Sequence, residues 1–289
     1  MATLREIRKR ISSVKSTQQI TKAMKMVAAA KLRKAQERIF AFRPYSYELR
    51  SLIAHLTALS EDVSQVPLLV RRPVEKVLLV VVTSDRGLCG AFNSNIIRHA
   101  SKLVADYTTF EVELFTVGRK GLEFFQHRDY PIQGDMINFF NHLSFEHAVQ
   151  LSDRLVQLYL SGAFDRIEIV YNEFKSAIQQ RVISEQFLPF VPDEELAESR
   201  EKVDLIYEPD KISILNSVIP KHLHVQIWRI LLESNAAEQG ARMTAMENAT
   251  DSAEEMIHDL TLHYNRTRQA MITKEIAEIV GGAEALKQS

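Results

Sequence analysis

Residues 4–42 read LREIRKRISSVKSTQQITKAMKMVAAAKLRKAQERIFAF, without a proline or a glycine. Leu4, Ile7, Ile11, Val14, Gln18, Thr21, Lys25, Ala28, Leu32, Ala35, Ile39 and Phe42 alternate in steps of three and four, the seam of a coiled coil. Its middle is polar, because Gln18, Thr21 and Lys25 weaken or specify the pairing. A second apolar line through Ile20, Ala23, Val27 and Ala30 predicts a helix touched on more than one side. Continuous helix as far as Phe42 would extend about 60 Å. So long and polar a seam is not stable alone, and a partner helix is implied.

The C-terminal residues supply that partner. All eight prolines lie between Pro44 and Pro220, and beyond Pro220 the only glycines are Gly240, Gly281 and Gly282. Helix from Lys221 to Val280 would span about 90 Å. Its spacing pattern passes through Leu223, Ile227, Ile230, Ala237, Ala241 and Thr244, then a small-residue stretch at Ala245, Ala249 and Ala253. Apolar residues return at Met256, Ile257, Leu260, Leu262, Ile272, Ile276 and Ile279. Small residues allow two backbones to approach, and the simplest architecture returns this helix antiparallel to the first. Gly281-Gly282 predicts its end.

Between the two helices the pattern is α/β. Val77–Thr83 (VLLVVVT) is an apolar run expected of a strand covered on both faces. Helical spacing over Asn93–Ala105, a strand over Val112–Val117, a helix over Leu143–Leu160 and a strand over Ile167–Tyr171 favour a mostly parallel sheet. Arg181–Leu188 is a weaker edge-strand candidate, and Pro189–Glu198 an acidic loop. The expected segments are an N-terminal coiled-coil helix over 1–60, a Rossmann-like α/β domain over 74–208 and a C-terminal coiled-coil helix over 211–286.

Composition narrows the function. Of 289 residues, 46% are hydrophobic and 25% charged, with a formal net charge of -1. No stretch approaches the roughly 20 apolar residues of a membrane span, and the N-terminus has no apolar run after its basic residues, as a secretory signal would. Cys89 is the single cysteine, which excludes an intrachain disulfide and a thiolate metal site. The near-neutral total hides an asymmetry: twelve Lys and Arg stand against Glu6 and Glu37 up to Arg43, and 24 against 35 acids thereafter. This basic face suits a protein interface, a solvated surface, or nucleic acid or lipid. Aromatic residues are absent before Phe40, which removes a stacking platform.

Ser84-Asp85-Arg86-Gly87-Leu88-Cys89-Gly90 follows the first strand, where α/β proteins often bind ligands. It carries no Gly-Lys-Ser/Thr and no dinucleotide fingerprint, so a structural turn is expected, with a protein-contact loop and then a small-ligand site as the alternatives. Asp85 and Arg86 are expected to pair across the turn or cap the next helix. Cys89 has no neighbouring histidine and reads as packing. The pairs His222/His224, His258/His263 and His142/His147 have the wrong spacing to share a metal on one helical face.

Four segments carry a resemblance: Ile7–Ala29 (IRKRISSVKSTQQITKAMKMVAA), Ser84–Gly90 (SDRGLCG), Glu238–Thr250 (EQGARMTAMENAT) and Tyr264–Val280 (YNRTRQAMITKEIAEIV). With the shorter Tyr207–Asp210 (YEPD), they make the chain similar from end to end to the gamma subunit of F-type ATP synthases. The resemblance implies a central-stalk rotor whose two terminal helices turn inside an alpha3-beta3 hexamer. It also implies an α/β foot contacting the epsilon subunit and the membrane c-ring. One copy per complex would couple c-ring rotation to ATP synthesis or hydrolysis at beta-subunit sites. No catalysis, cofactor, metal or nucleic acid is expected of this chain.

By the same resemblance, Met24, Lys25, Glu238, Gln239 and Arg242 face the beta subunits. Gln269, Thr273 and Glu275 belong to the upper shaft and its bearing, and Tyr207 and Glu208 to the c-ring or epsilon contact. The cysteine-bearing insertion of plastid relatives is missing, which favours a bacterial subunit held peripherally at the cytoplasmic face of the cell membrane through the c-ring, with a processed mitochondrial subunit as the alternative. The alternative from another class is a structural coiled-coil adaptor with an α/β domain.

Overall fold

The computed structural model describes residues 3–59, 64–177, 179–192, 207–208 and 210–287. The chain divides into two compact units, Met1–Val27 with Met243–Ser289, and Ala28–Arg242. Helix α1 (Leu4–Ala58) and the last helix contribute to both.

In the first unit the terminal helices run antiparallel. Thr21 Oγ1 lies 2.8 Å from Thr250 Oγ1, and Lys25 Nζ lies 2.6 Å from Glu247 Oε1. Four residues forward on one helix thus correspond to three back on the other. The less exposed positions of α1 in this unit, namely Leu4, Ile7, Ile11, Val14, Gln18, Thr21, Met24 and Lys25, are those of the expected seam with Met24 added. Opposite them Met246 and Ala253 are buried, and Thr250, Ile257, Leu260 and Tyr264 half-buried. Both lines step by three and four, as close helix pairing requires. Thr3 and Glu6 close a capping box: the Thr3 N–H donates to Glu6 Oε2 at 2.8 Å and the Glu6 N–H to Thr3 Oγ1 at 3.4 Å.

The second unit is built on a five-stranded sheet. Chain order gives β1 (Lys76–Val82), α2 (Phe92–Asp106), β2 (Glu111–Val117), α3 (Arg119–Gln126), β3 (Ile132–Met136), α4 (Phe145–Leu160), β4 (Arg166–Phe174), β5 (Gln180–Leu188) and α5 (Lys211–Lys287). The spatial order is β3-β2-β1-β4-β5. Every pairing is parallel except β4 with β5, so the weak Arg181–Leu188 signal is an antiparallel edge strand. In β1, Val77 to Val82 are all buried, which explains the unbroken apolar run at the sheet centre. Leu79 and Val81 pack with Phe92, Ile96 and Ala100 of α2, Phe125 of α3, and Ala237 of α5. Ser144 caps α4, its Oγ 2.7 Å from His147 Nδ1.

Three helix bounds run past the local proline and glycine signals. Helix α1 continues through Pro44 to Ala58, and α5 begins at Lys211, ahead of Pro220. An internal proline costs about 3 kcal/mol, and the surrounding faces offset that cost: Ile53, Ala54 and Leu56 are buried on α1, and Leu215, Ile219 and Leu223 on α5. Asp210 starts α5, accepting from the Ser213 N–H at 2.8 Å and the Ser213 hydroxyl at 2.6 Å. At the far end α5 runs through Gly281-Gly282 to Lys287. Glycine permits a left-handed stop without imposing one. Of the expected acidic loop, residues 193–198 lie outside the described residues.

Candidate functional site

The first unit offers surface rather than a cleft. Ile20, Met26 and Val27 on α1 are 57%, 60% and 57% exposed, so the second apolar line faces outward from this chain. Met24 and Lys25 are half-buried at the edge of the seam. Lys25 spends its charge on Glu247, a partner the sequence reading missed; the antiparallel register, once known, identifies it. Toward the end of α5, Gln269, Thr273 and Glu275 are exposed, beside exposed Met271, Ile272, Ile276 and Ile279. Isolated apolar side chains are ordinary on a surface, whereas runs such as these mark contact faces.

In the second unit the loop after β1 is held from all sides. The Thr83 N–H donates to Val117 O at 2.7 Å, its hydroxyl donates to Val117 O at 3.1 Å, and the Gly121 N–H donates to that hydroxyl at 2.9 Å. Gly118 is required beside it: φ is +92°, and a Cβ there would sit 2.3 Å from Thr83 O. The Ser84 N–H donates to Asn93 Oδ1 at 3.0 Å. Asp85 Oδ1 accepts from the N–H groups of Arg119 at 3.1 Å and Asn138 at 2.9 Å. Asp85 therefore serves the start of α3, which corrects the expected pairing with Arg86 or capping of α2. Sequence spacing could not reveal a bond spanning so many residues. Cys89 is buried against Ser84 and Asn93, and burial pushes its thiol up, the wrong direction for a thiolate nucleophile.

This loop is tied to α5. Arg242 donates to Gly87 O at 3.1 Å and to Glu238 Oε1 at 2.6 Å. The side chains of Arg242 and Glu238 are 12% and 7% exposed. Burial raises the Glu238 carboxyl above its ordinary range, opposed by the Arg242 guanidinium. Gln239 is buried as well, and a Cβ on Gly240 would meet Ala177 O at 2.9 Å. Glu238, Gln239 and Arg242 thus form a collar between α5 and the α/β layer, while Lys25 sits in the other unit. Tyr207 is half-buried with the Lys211 ammonium 5.2 Å from its ring centre, and Glu208 is exposed.

No cluster of three metal-ligating side chains occurs among the described residues. None of the described helices is long and apolar enough to cross a membrane. The surfaces and collar can bind and transmit force between proteins; they bring together no nucleophile and base.

Comparison with known proteins agrees in extent and kind. The family model described as ATP synthase matches residues 3–286. The ATP synthase gamma chain of Chloroherpeton thalassium is 51% identical over the whole of both chains. That of Chlorobaculum tepidum is 49% identical, again over the whole of both. Among solved structures, a chain of the Tetrahymena thermophila mitochondrial ATP synthase central stalk and c-ring is 27% identical, with a TM-score of 0.60 over 80% of this chain and 99% of that one. A chain of the Euglena gracilis mitochondrial ATP synthase shares the fold at 22% identity, with a TM-score of 0.70 over 98% and 94%.

Proposed function

The chain belongs to the ATP synthase gamma-chain family, and from that premise we propose that it is the central-stalk rotor coupling c-ring rotation to catalysis on other subunits. Identity of 51% across the full length carries this reading. The physical task is redistribution: an asymmetric shaft, turned in steps, changes which conformation each surrounding site favours, and so changes that site's nucleotide affinity. A rotor needs surfaces that slide and a body that does not slip. The outward apolar line of α1 and the exposed run on α5 supply the first, and the collar at Arg242 the second.

Finer assignments follow from the family positions. Met24 and Lys25 meet the beta subunits, Met24 through an adaptable apolar surface and Lys25 through charge. Glu238, Gln239 and Arg242 approach a second beta contact while holding the collar. Gln269, Thr273 and Glu275 turn in the bearing, and Tyr207 and Glu208 lie toward the c-ring or epsilon. One copy works in each alpha3-beta3 assembly, at the cytoplasmic face of a bacterial membrane, held peripherally through the c-ring. Purification through a tag on this chain should recover alpha and beta in a ratio of three to three to one with it, measured by quantitative mass spectrometry. Recovery of this chain in another stoichiometry, without alpha and beta, would favour the adaptor reading.

A further inference from the structure

The Lys25 ammonium lies 2.6 Å from Glu247 Oε1, with the two side chains 38% and 45% exposed. A notch of about 360 Å³ opens beside this pair, between α1 and α5 of the first unit. Its other walls are wholly polar: two glutamines and Lys22 from α1, with Thr250, Asp251 and Glu254 from α5. Elsewhere the same seam is closed by buried apolar side chains such as Ile7, Met246 and Ala253. Solvent therefore reaches the pair from the side. An ion pair in that setting opens and closes at little cost, because water takes up both charges.

The wider charge pattern shows what an internal partner does. Up to Val27 the chain carries seven Lys and Arg against Glu6 alone, whereas 243–264 on the facing helix carries five acids and neither Lys nor Arg. The basic side of α1 is thus confronted first by its own chain. At Lys25 that confrontation tightens to an ion pair.

We propose that Glu247 is a positioning residue for the beta contact: it competes for the Lys25 ammonium, so that an acidic group on the surrounding subunit takes Lys25 and gives it back without stranding either charge. The proposal rests on the rotor reading above, in which Lys25 meets a beta subunit. A lysine without a partner of its own would bind such a group most tightly at one angle of the shaft and resist leaving it. With Glu247 beside it, the contact exchanges one carboxylate for another. The free energy of the shaft then varies less from one angular position to the next. Lys25 slides with the exposed apolar line of Met26 and Val27 instead of anchoring it.

The test is Glu247→Gln, isosteric and uncharged, in the complex purified through a tag on this chain. Freed Lys25 should hold the surrounding subunit longer. ATP hydrolysis, relative to the wild type at the same salt, should fall at least about threefold at low salt and recover as added salt screens the contact. In a Lys25→Gln background the same change should have no effect, because the competitor then has nothing to release. Glu255→Gln, which removes an exposed acid of α5 outside the notch, should leave the salt profile as in the wild type. Wild-type turnover of Glu247→Gln at every salt concentration, or equal slowing with and without Lys25, overturns the proposal. Recovery of the wild-type chain without alpha and beta overturns the rotor reading, and this proposal with it.

Discussion

Lys25 illustrates two demands on one side chain. Its family position implies a charge presented to a beta subunit, yet its ammonium lies 2.6 Å from Glu247 within the shaft. Both side chains are more than a third exposed, so the pair contributes at most about 1 kcal/mol. Lys25→Glu would bring two carboxylates together and also reverse the outward charge, and the double exchange Lys25→Glu with Glu247→Lys separates these effects. The exchange should restore the melting temperature of the single variant. It should leave the ratio of proton pumping to ATP hydrolysis lowered, most clearly at low salt where exposed charges are least screened. Full recovery of that ratio would assign Lys25 to the seam alone. Arg242 is the contrasting case, since its partner is buried. Arg242→Ala strands the Glu238 carboxylate and should cost about 3–5 kcal/mol in chemical denaturation. The cost should shrink as pH falls, because a carboxyl with a raised pKa takes up its proton more readily in the folded state.

Among the elements, the helix pair places close approach at particular positions. Ala253 is buried on α5, whereas the neighbouring small residues Ala245 and Ala249 are half-buried. Ala253→Trp should therefore overpack the seam, lowering stability by about 1–3 kcal/mol or more. Ser252→Trp, on the exposed face one residue away, should be close to neutral, with the comparison made by thermal melting followed at the helical circular-dichroism band. Equal melting of both variants would mean that this stretch of α5 does not pack closely. The polar residues Gln18, Thr21 and Lys25 were legible as a weak centre because they interrupt a regular apolar line. The actual partners of Thr21 and Lys25, namely Thr250 and Glu247, required the register of the second helix.

For the whole chain, stability against pH reflects groups that burial moves in opposite directions. His222 is held down to about 4, by burial first and then by Arg50 and Arg229, with Glu185 opposing. The unfolded chain binds a proton near pH 6.5 that the folded chain refuses until about pH 4, so stability rises with pH across that window. The lost contribution at the acid end is about 3 kcal/mol. Glu233 and Glu238 are raised and act with the opposite sign. Subtracting the pH profile of His222→Gln from that of the wild type isolates the histidine, and the difference should grow between pH 6.5 and 4. A flat difference would show that His222 is protonated equally in both states.

The two terminal helices, the buried central strand, the alternating layer around it and the family are all legible in the residues alone. Each of these rests on local periodicity or on an unbroken order of motifs, which is written along the chain. The packed structure adds which buried faces carry α1 through Pro44 and α5 through Pro220, and that Asp85 serves α3. The same holds for Arg242, which grips the loop at Gly87. Proline and glycine set local costs that burial elsewhere can exceed. The partner of a side chain is chosen by which distant backbone the fold brings within about 3 Å, a distance that spacing along the chain does not contain.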